Sequence, residues 1–257
     1  MMRMAGLLEV CADSVCSAVN AARGGADRIE LCSALPLGGL SPDEDLFCMV
    51  RERVDIPVRV LLRPRAGDFL YDEDEFELLC RQASRFAGLG ADGIVIGMLN
   101  PDGTLDTERM SALMACGDGC GVTLHRAFDV CRDAHEALRT AKKLGVDTIL
   151  TSGQQARCAD GAPLLRELVS ESGEGLRILI GGGVNADVIR ALAPQTGADA
   201  FHLSAKAAVP SGMEFRREAV PMGAAGLNEF ELWRCDEGAV RAAREALDAV
   251  CTARKEN

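Results

Sequence analysis

A short phrase repeats along the chain. Gly25-Ala26-Asp27-Arg28-Ile29-Glu30 is echoed by Gly90-Ala91-Asp92-Gly93-Ile94-Val95, Gly145-Val146-Asp147-Thr148-Ile149-Leu150 and Gly197-Ala198-Asp199-Ala200-Phe201-His202. Each copy follows a helical pattern and opens an apolar or β-branched run, so it reads as a glycine helix cap, a short loop and a strand. The gaps between copies suit two βα units each, which calls for one further strand inside every gap. Segments 57–63, 121–128 and 177–183 supply those strands, and 7–12 precedes the first copy. Eight strands result, near 7–12, 27–32, 57–63, 93–97, 121–128, 147–152, 177–183 and 200–205. Alternating with helices over this length, they predict a (β/α)8 TIM barrel, one domain over 1–257. An open, doubly wound sheet is the alternative, but it uses fewer units.

Helix starts are readable. Ser41-Pro42-Asp43-Glu44 reads as a capping box with proline at the first helical position, and Asp72 with Glu75 and Asp133 with Glu136 repeat the logic. The last helix is expected over about 236–254. The long segment 206–234 before it breaks the regularity and is read as a functional loop. Its Met213, Phe215, Met222, Phe230 and Trp233 suggest a contact between two copies of the chain.

Composition narrows the partners. With 28 Lys+Arg against 39 Asp+Glu the net charge is −11, which lacks the basic footprint that nucleic acid requires. No apolar run is long enough to span a membrane, and residues 1–6 leave no room for a signal peptide. Eleven cysteines in such a chain, with no C-x-x-C, fit a reducing cytoplasm better than a disulfide framework or a zinc ribbon.

Barrel enzymes place their chemistry at the C-terminal ends of the strands. The first two strands there carry Glu9-Val10-Cys11 and Glu30-Leu31-Cys32. Residues two apart share a face and neighbouring strands lie about 4.8 Å apart, so the two Glu and the two Cys are expected side by side. Buried carboxylates need partners, and Arg63 and Arg65 are the expected ones. His125 and His202 also fall near strand ends, with Ser204 beyond the second, whereas His135 belongs to the solvated face of a helix. Gly181, Gly182 and Gly183 lead into a helix start and could hold an anion. Lys206 is a weaker candidate, as a Schiff-base lysine past the barrel mouth. Thiols on neighbouring strands suit Cu(I), which accepts low coordination numbers; packing thiols are the plainer reading.

The assembled motifs resemble the CutC copper homeostasis proteins. The resemblance rests on Glu-Val-Cys at 9–11, the run 24–33, Arg-Pro-Arg-Ala-Gly-Asp-Phe at 63–69 and Thr-Leu-His-Arg-Ala-Phe-Asp at 123–129. It continues with Leu-Thr-Ser-Gly-Gln at 150–154, Gly-Gly-Gly-Val at 181–184 and Phe-His-Leu-Ser-Ala at 201–205. It runs from Leu8 to about Gly223. It implies a cytoplasmic TIM barrel, homodimeric or otherwise oligomeric, tied to copper binding, with the family's proposed copper cysteines falling on Cys11 and Cys32. Two departures stand out: Ala66 where the family has glycine, and Arg216-Arg217 where it has Arg-Asn.

Two functions remain open. One is Cu(I) handling through Cys11 and Cys32. The other is an enzyme acting on a small anionic substrate, with the copper link indirect. In the second reading Glu9, Glu30, Arg63, Arg65, His125, His202 and Ser204 form the site. His125 or Glu30 would then be the general base, and the arginines would meet a carboxylate or phosphate.

Overall fold

Eight parallel strands close into a barrel in chain order. They are β1 (Leu7–Ala12), β2 (Arg28–Leu31), β3 (Val58–Leu61), β4 (Gly93–Ile96), β5 (Gly121–Leu124), β6 (Thr148–Thr151), β7 (Arg177–Ile180) and β8 (Ala200–Leu203). The helices between them are α1 (Val15–Arg23), α2 (Glu44–Arg51), α3 (Glu73–Gly88), α4 (Thr107–Cys116), α5 (Ala134–Leu144), α6 (Ala162–Ser172) and α7 (Ala186–Thr196); α8 (Glu237–Glu256) ends the ring. The computed structural model describes residues 6–217, 220 and 228–256. Closure of the sheet removes the doubly wound alternative.

The repeated phrase has a physical cause. Gly25, Gly90, Gly145 and Gly197 all hold positive φ, between +79° and +94°, where a side chain would be strained. The aspartate two residues on then reaches back to the strand before. Asp27 accepts the Leu8 amide at 2.7 Å, Asp92 the Val58 amide at 2.8 Å and Asp147 the Val122 amide at 2.6 Å. Each carboxylate satisfies an amide near the start of a strand, pinning the odd strand to the even one. In the fourth copy the Asp199 backbone carbonyl accepts the Leu7 amide, which joins β8 to β1.

Two apolar layers form. Leu8, Val10, Ile29, Leu31, Ile94 and Ile96 point outward into the helices, where Phe47 of α2 meets Phe86 of α3 edge-on at 5.6 Å. Inside the barrel, Leu150, Leu179 and Ala200 form one small cluster and Cys32, Leu61 and Val95 another. The rest of the interior is polar.

Two local expectations change. Asp43, not Ser41, caps α2; the Ser41 hydroxyl instead accepts the Arg63 amide at 2.9 Å and donates to Gln82 at 2.8 Å. That ties the entry of α2 to β3 and α3. The Asp72–Glu75 capping box of α3 is present, and Asp133 caps α5. Within 206–234 an antiparallel pair forms, β9 (Lys206–Pro210) with β10 (Glu231–Cys235). Met213, Phe215 and Trp233 are exposed there, and Met222 lies outside the described residues. Among the described residues no helix is long and apolar enough to cross a membrane.

Candidate functional site

The expected side-by-side pairing of like residues is replaced by a register offset of two. Glu9 lies opposite Arg28 and Cys11 opposite Glu30, while on its other side Glu9 faces His202 of β8. The buried Glu9 carboxylate is thereby set between two cations, with Glu30 diagonal to it. Glu9 is fully buried, with Arg28 Nε 2.5 Å from one oxygen and His202 Nδ1 2.7 Å from the other. Burial works against its charge, but Arg28 and then His202 outweigh it and bring the pKa down to about 2.

Glu30 has the opposite fate. Burial, reinforced by the negative charge of Glu9, raises it to about 7 against the pull of His202 and Arg28. One of its oxygens, Oε2, is buried without a hydrogen-bond partner, as is Nη2 of Arg28. His202 is held well above its ordinary value: burial disfavours the cation, but Cys11, Glu30 and Glu9 favour it. Glu9, Glu30 and His202 present ligand atoms within 4.8 Å of one another. The Cys11 thiol adjoins His202, and Cys32, fully buried, donates to the Ala12 carbonyl at 3.6 Å. Burial, then Cys11 and Glu30, push the Cys32 thiol well above its ordinary pKa.

The arginines expected to partner the carboxylates do other work. Arg63 donates to the carbonyls of Leu37, Gly39 and Gly67, at 3.2, 3.2 and 2.8 Å, clamping the loops after β2 and β3; its Nε is buried and unpartnered. Arg65 pairs with Glu75 at 2.5 Å and with Asp68. The ion-pair partner of Glu9 is Arg28 instead, whose charge acts on Glu30 only through space and which the sequence reading passed over. The signal was available: Arg28 lies two residues before Glu30 and therefore on the same strand face. Ala66 keeps a negative φ and takes the place of glycine without strain.

His125, just past β5, is buried, and its Nδ1 accepts the Ala127 amide at 3.1 Å, which leaves the proton on Nε2. Nε2 has no partner. Burial and the charge of Arg63 press its pKa down to about 3, so the ring is neutral. Phe69 lies 4.8 Å from the ring, and a Cβ added at Gly97 would come within 2.6 Å of it. Ser204 is half-buried past β8. Gly181 packs close to Leu150 and His202, while Gly182 and Gly183 take positive φ and lead to the Asn185 cap of α7. Lys206 is exposed, its Nζ 5.1 Å over the Trp233 ring. His135 pairs at the surface with Glu171 and Glu167.

A second network sets the rim. Asp129 accepts from Arg126 Nε at 2.6 Å, Thr151 Oγ1 at 2.5 Å and the amides of Ser152 and Gln154. It fixes the loop after β6, where Gln154 has positive φ; Ala34 and Ala205 hold positive φ just past β2 and β8. At the opposite end of the barrel, a cavity of about 820 Å³ is lined by Arg28, Arg59, Arg177, Asp147 and Asp199. Arg59 pairs there in bidentate fashion with Asp147, at 2.8 and 3.1 Å.

The sequence is matched over residues 6–207 by the model of the CutC family. The chain belongs to the CutC family. Among curated CutC relatives, the human copper homeostasis protein cutC homolog is 44% identical over 237 residues, covering 91% of this chain and 86% of the relative. A CutC family protein of Bacteroides fragilis (strain YCH46) is 45% identical over 227 residues, covering 88% and 90%. The crystal structure of a CutC protein from Streptococcus agalactiae superposes with a TM-score of 0.73 at 27% identity, covering 77% of this chain and 98% of that one. Thiamine phosphate pyrophosphorylase from Pyrococcus furiosus, at 18% identity and a TM-score of 0.56, shares the fold.

Proposed function

We propose that this chain is a cytoplasmic copper-homeostasis protein that holds Cu(I) at Cys11 and Cys32 inside the mouth of the barrel. The observation that carries the reading is the placement of two thiols, Cys11 and Cys32, at the ends of the neighbouring strands β1 and β2, with the His202 imidazole of β8 beside Cys11. Thiolate and imidazole are the donors that suit Cu(I), and oxygen donors do not compete well for a soft ion. The name borne by the human relative supports the same assignment. Binding requires both thiols to lose their protons, so it releases acid and weakens as pH falls. Burial excludes water from the bound ion and makes exchange slow, which fits storage better than rapid transfer. The exposed residues of the β9–β10 hairpin supply the contact of a homodimer in this proposal.

Competition against a chromogenic Cu(I) chelator under anaerobic, reducing conditions tests the assignment. The double variant Cys11→Ser/Cys32→Ser is expected to lose one equivalent of tightly held copper. Unchanged stoichiometry and affinity in a folded double variant would remove the reading.

A second reading has its own observation. Glu30 offers a buried, unpartnered oxygen on a carboxyl group titrating near neutrality, beside a protonated His202. Two carboxylates and a histidine pushed apart in pKa are the arrangement of an acid–base pair. His125 Nε2 and Arg63 Nε, both unpartnered, lie at the same end and could receive a small carboxylate or phosphate near Gly181, Gly182 and Gly183. Stabilisation of the wild type by phosphate or a short carboxylic acid, lost in Glu30→Gln, would favour this enzyme.

A further inference from the structure

Nine cysteines remain beside Cys11 and Cys32, and the fold brings two of them together. Cys80 lies in the middle of α3, and Cys116 is the last residue of α4. Both side chains line one groove between the two helices, on either side of Ser84. The juxtaposition is held from a second point: the Ser84 hydroxyl, one turn after Cys80 on the same face, donates to the Cys116 carbonyl at 3.1 Å. Gly117 closes α4 immediately afterwards. Both thiols are half-buried and free, and both line an open groove of about 660 Å³. Gly88 lines the same groove, and a Cβ added there would meet nothing within 4 Å.

From this geometry we infer a second soft-cation site, in which Cys80 and Cys116 bind one Cu(I) between them as a two-coordinate bis-thiolate at the protein surface. The ion is named by its donors. Two thiols with no histidine or carboxylate between them select a thiophilic ion that accepts two ligands, whereas zinc requires four. Each thiol gives up its proton, two sulfur–copper bonds form, and no electron is transferred. The product carries one net negative charge, and Arg81 and Arg85 line the groove around it. Burial, then the neighbouring thiol and Glu77, raise the Cys80 pKa to about 12, and Arg81 and Arg85 are themselves paired with Glu77 and Glu44, so loading is expected to be displaced to higher pH than for an ordinary thiol pair. The two sites differ in access. Cys11 and Cys32 are sealed in the barrel, whereas this pair opens to solvent and could exchange copper with an external thiol.

The site stands independently of the barrel reading, and one titration separates them. The folded wild type, in a phosphine reductant without oxygen, is titrated with Cu(I) against the chelator, alongside Cys80→Ser/Cys116→Ser and Cys11→Ser/Cys32→Ser. Each double variant is expected to lose one equivalent, and losses should add in the quadruple variant. Alkylation mapped by mass spectrometry gives a second readout: one equivalent of Cu(I) should protect Cys80 and Cys116 in the Cys11→Ser/Cys32→Ser protein. Full stoichiometry in Cys80→Ser/Cys116→Ser, or alkylation of both thiols unaffected by Cu(I), overturns the site. Loss confined to the other double variant upholds the barrel site alone.

Discussion

Glu9 and Glu30 sit two strand positions apart in register yet titrate at opposite extremes, because one has two cationic partners and the other shares them. Opposite signs follow for stability. The folded pKa of Glu9 is depressed, so its contribution is present above the unfolded value of about 4.5 and is lost as pH falls toward 2. Glu30 is raised, so the folded state keeps a proton that the unfolded chain has released. Stability therefore falls as pH rises from about 4.5 to about 7 and is level beyond that. Glu30→Gln should flatten this region of the pH–stability curve. Glu9→Gln should cost about 3–5 kcal/mol at neutral pH, since it leaves Arg28 and His202 buried without their anion. Urea denaturation between about pH 4 and pH 8 checks both; a Glu9→Gln protein as stable as the wild type would refute the ion-pair account. At this scale strand alternation and position placed Glu9 and Glu30 near each other and His202 at a strand end, and the structure brings the three together. It did not yield the partner of Glu9, because that depends on strand register, and it could not show that loop carbonyls would occupy Arg63.

At the scale of the element, the repeated Gly-x-Asp was legible as a helix stop followed by a strand, but its carboxylate had no assigned task. The structure gives it one, and the consequence is measurable. Asp147 accepts the Val122 amide and both terminal nitrogens of Arg59, so it fastens the start of β5 and the floor of the barrel together. Asp147→Ala should destabilise by about 1.5–3 kcal/mol, the range for hydrogen bonds to a charged group. Asp147→Asn should recover part of the loss through the retained acceptor. Hydrogen exchange of the Val122 amide, faster in the alanine variant than in the asparagine one, would assign the effect to that bond. An unchanged exchange rate would mean that the phrase recurs for its glycine alone. The caps show the same division between local and tertiary information. Asp72 with Glu75 is fixed within one helical turn and was readable, whereas Ser41 was drawn away by Arg63 and Gln82, which are distant in sequence.

For the whole molecule, eight strands could be counted from four echoes because a closed barrel requires an even alternation, and length alone then excluded most other layers. The segment 206–234 was not legible in the same way. Its strands are short and exposed, with the burial pattern of neither a core strand nor a helix, and they pair only with each other. The base of the pair is anchored on the barrel, where buried Cys235 bonds Ser17 and Asn20 of α1, whereas its far end stands clear of it. Ser211 donates to the Phe230 carbonyl at 2.8 Å, so the two strands are already within turn distance at that rung. Replacing 212–229 by Asn-Gly, which favours the tight turn of a two-residue hairpin, should leave the barrel's unfolding midpoint within a few degrees of the wild type. The same exchange removes exposed Met213 and Phe215, and with them the contact proposed between two copies. Light scattering at micromolar concentration should then show a monomer for the shortened protein and the proposed dimer for the wild type, with Cu(I) stoichiometry unaltered because none of the four proposed copper cysteines is touched. A shortened protein that still dimerises would move the interface off the hairpin, and one that unfolds would mean that the closed barrel depends on the segment it was expected to tolerate losing.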